Sequence, residues 1–214
     1  MTKNKIIGYL GLTGLFAFIF YLLHDVIGGL NYPNYNWLKQ AISDLTSSSA
    51  PSKSIADIYV IIYGILTLIC CLVLCLYFKK KNDKLTKIGV YIWSVMNLIN
   101  VIGYNLFPLE EAGNTSTSFK STMHLIVTGI VVLLSIISLV VLIIGGYKNR
   151  MYKLITNISI ITISLMIFGA IGTSLLPKSI FGLVERFSAY SAVLFTLFLG
   201  IYIFYQAIVK KEKI

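Results

Sequence analysis

The sequence predicts an all-α membrane protein that crosses the bilayer six times, arranged as three helical hairpins. The first observation is the presence of six apolar runs of about 20 residues each, the length that spans a bilayer core. The second is that charged residues make up only 12% of the 214 residues, too few to cover a soluble domain of this size. The third is a short motif, Ile-Gly separated by four residues from Pro, that ends the first, third and fifth runs.

The six runs leave room only for short loops. They are residues 6–27, 58–78, 88–107, 123–145, 154–175 and 190–208. Residues 1–214 are therefore expected to form a single six-span membrane domain. The first run resembles a signal peptide, but it is longer and no Ala-x-Ala pattern follows it, so we expect it to remain as the first span.

The repeated motif predicts that the hairpins are three related units. Its copies are Ile27-Gly28 with Pro33, Ile102-Gly103 with Pro108, and Ile171-Gly172 with Pro177. Glycine allows neighbouring helices to approach closely, and proline does not continue a helix interior. Each odd-numbered span is thus expected to end or bend at the same membrane face.

The charge distribution predicts the orientation. If the N-terminus is inside, 13 of the 18 basic residues lie on the inner side. They are Lys3, Lys5, Lys79, Lys80, Lys81, Lys84, Lys87, Lys148, Arg150, Lys153, Lys210, Lys211 and Lys213. The positive-inside rule then places both termini in the cytoplasm. Sixteen lysines against two arginines, with abundant isoleucine, are typical of an AT-rich bacterial genome, which favours a bacterial cytoplasmic membrane. The net charge of +10 is thus explained by topology, and no nucleic-acid partner is expected.

The first outer loop contains a helical pattern over residues 34–45. One side of the wheel carries Tyr35, Trp37, Leu38, Ala41, Ile42 and Leu45. This pattern predicts a short amphipathic helix on the outer face, with the aromatic residues at the headgroup level. The helix either caps the bundle or acts as a lid over a pocket.

Most ionisable groups that reach the membrane edge are on the outer side. His24 ends the first span, and His124 begins the fourth. In the third span, Asn97, Asn100 and Tyr104 form a polar stripe at helical spacing. Polar groups in hydrocarbon need partners, either other helices or a ligand. We therefore expect any functional site to face outward.

Arg186, next to Glu185, is the only outer arginine in a lysine-rich chain. Arginine favours a bidentate partner, which would be a carboxylate such as Asp44 or Glu110, or a phosphate. A structural salt bridge and the binding of an anionic headgroup both remain open.

Three residue types for hydrolysis are present in Ser43, Asp44 and His124. Adjacent Ser43 and Asp44 would point about 100° apart on a helix, so the simpler arrangement is Asp44 orienting His124 as a base. The two histidines lie on different spans without a His-x-x-x-His pair, so neither a metal nor another cofactor is expected.

Three motifs between the spans carry a family resemblance. They are Tyr35-x6-Ile42-Ser43-Asp44-Leu45, Phe107-Pro108 followed by His124, and Gly182-Leu183-x-Glu185-Arg186. Together they resemble the bacterial and archaeal six-span family called domain of unknown function 998, over essentially the whole chain. The resemblance implies a topology and no activity, and it marks Ser43, Asp44, His124, Glu185 and Arg186 for attention.

The residues thus favour a protein with an outward-facing polar pocket near the outer leaflet. The expected lining is His24, Asp44, Asn97, Tyr104, His124 and Arg186, with Asn100 and Glu185 as further ligand-binding candidates. The expected ligand is a lipid headgroup or a small amphiphile. The first alternative is a membrane-embedded hydrolase or transferase that acts on a lipid through Asp44 and His124. The second is a small-solute transporter.

Overall fold

The computed structural model describes residues 3–114 and 117–211, and it contains no β-strand within those ranges. Its α-helices are α1 (Lys3–Gly11), α2 (Thr13–Leu30), α3 (Lys53–Lys79), α4 (Lys84–Leu106), α5 (Phe119–Lys148), α6 (Lys153–Leu175) and α7 (Phe181–Phe204). Six helical segments are long and apolar enough to cross a membrane, with α1 and α2 together forming the first. This confirms the prediction of an all-α, six-span, multi-pass membrane protein.

Helices α4 and α5 begin before their apolar runs, with polar first turns that are capped. The Asp83 carboxylate accepts a hydrogen bond from Thr86 N at 2.7 Å, and Ser118 Oγ accepts one from Ser121 N at 3.2 Å. The last span begins with two turns of α7 that contain Glu185 and Arg186. Both side chains bind loop residues, so these turns belong to the loop side of the bundle.

Consecutive helices make the most extensive contacts: α2 with α3, α4 with α5, and α6 with α7. Helix α7 also packs on α1 and α2, which brings the last span against the first. We call the side where α1 begins and α7 ends the lysine-rich face. The opposite side, where residues 31–52, 107–114 and 176–180 lie, is the loop face.

The three copies of the Ile-Gly-x4-Pro motif have the same local structure. Each helix ends two or three residues before the proline, and each glycine is buried one turn or less before that end. A β-carbon on Gly28, Gly103 or Gly172 would meet a side chain of the next span, at Ala56, Val127 and Val184 respectively. The glycines therefore allow each odd-numbered span to approach its successor at the loop face.

Large aromatic side chains fill the bundle from its middle to the lysine-rich face. Trp93, Tyr77, Phe78, Tyr152 and Phe195 are among the largest fully buried residues. The Trp93 indole N–H donates to Thr196 Oγ1 at 3.0 Å, and its ring packs edge-on to Phe195 at 4.7 Å. The polar groups considered below lie in the other half.

The predicted amphipathic helix over residues 34–45 is wrong. The segment is a series of turns that ends in one 3-10 turn, Ser43–Thr46. Local side-chain bonds replace the helical ones, since Asn36 Oδ1 accepts from Leu38 N at 3.0 Å and Gln40 Oε1 accepts from Asn36 N at 2.8 Å. Ile42 and Leu45 are nevertheless buried against the bundle. We call residues 31–52 the cap.

Candidate functional site

The partner of Arg186 is Asp25, on the first span. Arg186 Nε and Nη2 donate to the two carboxylate oxygens at 3.0 and 2.7 Å. The side chains are only 11% and 5% exposed, and Tyr190 also donates its hydroxyl to Asp25 at 2.9 Å. Sequence reasoning anticipated a carboxylate but not this one. The available signal was an acid placed next to His24 inside the last turns of an apolar span.

The other guanidinium donors hold the cap. Arg186 Nη1 lies 2.9 Å from the carbonyl oxygen of Trp37, 3.0 Å from that of Gln40 and 2.9 Å from that of Gly182. Nη2 also donates to the Tyr35 hydroxyl at 3.0 Å. All three guanidinium nitrogens are thus engaged within the protein. In this arrangement Arg186 joins the first span, the last span and the cap.

The cap lies directly on the start of α7. Leu183 N donates to the carbonyl of Leu38 at 3.2 Å. A β-carbon on Gly182 would overlap the carbonyl oxygens of Trp37 and Gln40, so this position requires glycine. Tyr35 donates its hydroxyl to the Ala41 carbonyl at 2.6 Å. Burial raises the pKa of Tyr35 above its ordinary value, against the opposing effect of Arg186, so the hydroxyl keeps its proton.

Asp44 joins the cap to the loop between the third and fourth spans. Its carboxylate accepts from Ala41 N at 3.1 Å and from Gly113 N at 2.8 Å, with Gly113 in the left-handed region at φ 73°. Backbone bonds from Ser48 N and Ser49 N to the same loop, at 2.7 and 3.1 Å, strengthen the junction. Burial raises the pKa of Asp44, and the two amide donors partly oppose this.

We expect the raised pKa of Asp44 to make its contribution to stability pH-dependent. Because the folded state disfavours the ionised carboxyl, this contribution is greatest below the unfolded pKa and declines as pH rises through the raised folded pKa. Asp44→Asn removes the titration. The melting temperature of the wild type relative to Asp44→Asn, measured in detergent across acidic pH, should therefore fall as pH rises. A difference that does not change with pH would contradict the assignment.

His124 lies at the start of the fourth span beside Tyr104. Its Nδ1 is 2.9 Å from the Phe107 carbonyl, which can only accept, so Nδ1 carries the proton and Nε2 is an acceptor. The rings of His124 and Tyr104 are 4.7 Å apart, and the Tyr104 hydroxyl donates to Thr128 at 3.0 Å. Among residues 3–114 and 117–211, no hydrogen bond connects His124 with Asp44 or Ser43. The structure thus does not assemble the predicted acid–base group.

The remaining candidates differ in their surroundings. His24 is buried, and its Nδ1 lies 3.2 Å from the Ala56 carbonyl, so it connects the first two spans. Asn97 is also buried and donates to the Trp93 carbonyl at 2.9 Å. Asn100 is half-buried, and its amide makes no hydrogen bond with any residue that the structure describes.

Four half-buried residues in the loop-face half of α4, α5 and α7 are Asn100, Tyr104, His124 and Glu185. Asn100 precedes Tyr104 by one helical turn, and the ring of His124 lies against Tyr104. The Glu185 carboxylate is close enough to Tyr104 to act on it electrostatically. Glu185 Oε2 accepts from Ile42 N of the cap at 2.9 Å, whereas Oε1 has no partner in the described ranges. We call Asn100, Tyr104, His124 and Glu185 the Tyr104 cluster.

A family model described as "Protein of unknown function (DUF998)" matches residues 15–202. The chain belongs to the DUF998 family. The matched range includes all six spans in whole or large part, the cap and the Tyr104 cluster. No curated protein and no solved structure matches the chain. In the described part of this DUF998 chain, no three His, Cys, Asp or Glu side chains come together as metal ligands.

Proposed function

We propose that this protein binds the polar headgroup of a lipid or small amphiphile at its loop face. We further propose that the loop face lies outside a bacterial cytoplasmic membrane, with both chain ends in the cytoplasm. The excess of lysine on the lysine-rich face supports this orientation. The similar glycine contacts in the three hairpins support their origin as an internal repeat.

One observation supports the binding proposal most directly. The Tyr104 cluster contains three polar groups that have no hydrogen-bond partner among the described residues: the Asn100 amide, His124 Nε2 and Glu185 Oε1. Asn100 and His124 lie within predicted spans, where an unpaired polar group is costly, and Glu185 lies in the loop-side turns of α7. A ligand headgroup would supply the missing hydrogen bonds.

The free atoms also indicate the chemistry of the ligand. Glu185 Oε1 and His124 Nε2 are acceptors, and Arg186 is already engaged by Asp25 and the cap. With Glu185 ionised, a headgroup with N–H or O–H donors, such as an amine or a sugar-like polyol, therefore fits better than a bare phosphate. The aromatic ring of Tyr104 would pack against the same group.

The experiment is native mass spectrometry of protein extracted gently from its own membrane. We expect the wild type to retain a discrete lipid or small molecule, and Glu185→Gln and Asn100→Leu to lose it. Asn105→Leu is the matched control, because Asn105 is exposed on the same helix and, among the described residues, its side chain donates to the Val101 carbonyl alone. Loss of the ligand from Asn105→Leu as well, or its absence from the wild type, would contradict the proposal.

The hydrolase or transferase alternative has one observation in its favour. The bond from Nδ1 to Phe107 leaves His124 Nε2 as an acceptor, which is the form that a general base requires. It also requires an orienting role for Asp44, whose two oxygens instead bind Ala41 and Gly113. Turnover of a retained lipid that His124→Gln abolishes, with retention unchanged, would favour this alternative over simple binding.

A further inference from the structure

A cleft of about 260 Å³ lies at the lysine-rich face, on the opposite side of the molecule from the Tyr104 cluster. It is lined by Tyr77, Met151, Tyr202, Gln206 and Lys210. Tyr77 and Tyr202 are buried and form the aromatic part of its wall, with ring centroids 6.3 Å apart. Gln206 and Lys210 supply the polar part.

The polar residues of the cleft, Gln206 and Lys210, lie at a π-helical turn at the end of the last span. Residues Tyr205–Val209 form a π-helix, closed by a hydrogen bond from Lys210 N to the Tyr205 carbonyl at 3.0 Å. Gln206 and Lys210 are four residues apart and line the same cleft. Single π-helical turns of this kind are frequent at functional sites.

Two lysines lie at the cleft. Lys210 is part of its lining, and Lys81 Nζ lies 4.5 Å from the centre of the Tyr77 ring. The nearby acid Asp83 has its carboxylate engaged by Thr86 N, where it caps α4. The charge around this cleft is therefore suited to an anionic group.

A shallow apolar crevice lies between α6 and α7 and borders the cleft at Tyr202. Its volume is about 10 Å³, and its lining includes Leu154, Ile158, Phe195, Phe198 and Leu199. Leu154 is 57% exposed and Phe198 43% exposed, so the crevice opens toward the lipid-facing surface of the helices. The polar cleft thus borders an apolar surface of the last two spans.

We propose that this combined site binds an anionic phospholipid, with its phosphate headgroup in the cleft and an acyl chain lying along the lipid-facing surface at the crevice. The cleft is slightly smaller than typical sites for drug-sized ligands, which start at about 300 Å³, so it suits a headgroup rather than a whole lipid. In the orientation proposed above, the lipid comes from the cytoplasmic leaflet. The site is independent of the Tyr104 cluster.

The test is a lipid titration of delipidated protein by native mass spectrometry. Phosphatidylglycerol and phosphatidylcholine with identical acyl chains are compared, with inorganic phosphate as a competitor. We expect the wild type to prefer phosphatidylglycerol and Lys210→Ala to bind it about fivefold more weakly. Leu154→Trp should weaken both lipids, since it obstructs the crevice without removing a charge. Lys148→Ala removes an exposed lysine that does not line the cleft, so it serves as the matched control.

Selective weakening by Lys210→Ala but not by Lys148→Ala would support the site. Equal weakening by the two lysine variants would indicate a diffuse charge effect and overturn the proposal, as would equal binding of the two lipids. Complete displacement of the lipid by millimolar inorganic phosphate would show that the cleft recognises free phosphate instead. The melting temperature of each variant, measured in the same detergent, verifies that the compared proteins are folded.

Discussion

Replacement of Arg186 by alanine is expected to lower the free energy of unfolding by about 3–5 kcal/mol, because it leaves the buried Asp25 carboxylate without its partner. The same change removes the bonds to the carbonyls of Trp37 and Gln40 and to the Tyr35 hydroxyl. Thermal unfolding in detergent, followed with a thiol-reactive dye, measures the loss of stability. Cys70 and Cys71 are buried and become reactive when the bundle opens.

The matched control is the exposed ion pair Lys53–Asp57, whose nitrogen–oxygen distance is 2.8 Å and whose side chains are 35% and 34% exposed. Lys53→Ala should cost less than about 1 kcal/mol, since solvent screens exposed pairs. Arg186→Lys should be intermediate, because it keeps the charge but loses the bidentate geometry. Similar melting temperatures for Arg186→Ala and Lys53→Ala would contradict the role assigned to Arg186.

Gly182→Ala is expected to displace the cap while the six spans remain folded. Its β-carbon would overlap backbone carbonyls of the cap, which have no flexible side chain to move aside, and such overpacking costs about 1–3 kcal/mol. Hydrogen–deuterium exchange of backbone amides measures the displacement of the cap directly. The amides of Ile42, Leu183 and Gly113 should lose protection, while those in the middle of α3 should keep it.

Gly129→Ala is the control for this experiment, because a β-carbon there would meet nothing within 4 Å. It should leave exchange in the cap unchanged. Unaltered protection of Ile42 and Leu183 in Gly182→Ala would show that the cap does not depend on its close contact with α7.

The six spans could be predicted because a bilayer requires long apolar helices, and that requirement is visible in composition alone. Arg186 could also be singled out from the sequence, because the other basic residues of the loop-face segments are lysines. Its partner Asp25 could not be predicted, because Asp25 lies 161 residues away in sequence. Only the packing of the last span against the first brings the two together.

The cap shows why an amphipathic pattern can predict burial and still give the wrong backbone. Ile42 and Leu45 do face the bundle, as their positions in the pattern indicate. The carbonyls of Trp37 and Gln40 bind Arg186 instead of helical amides. A tertiary partner of this kind leaves no trace in the local sequence.

The candidate site was predicted in part. Asn100, Tyr104, His124 and Glu185 were all identified from sequence, and the structure packs the ring of His124 against Tyr104 and places Glu185 within electrostatic range of it. Asp44 and Ser43 lie in the cap, where Asp44 binds backbone amides rather than His124. Their functional roles, and the transporter alternative, stay predictions.

The most direct test of the binding proposal is an electron cryomicroscopy map of the protein in discs of its native lipids. The proposal predicts discrete density within hydrogen-bonding distance of Glu185 Oε1 and His124 Nε2, beneath the cap. A map that resolves these side chains and annular lipids but shows only water beside the Tyr104 cluster would contradict it.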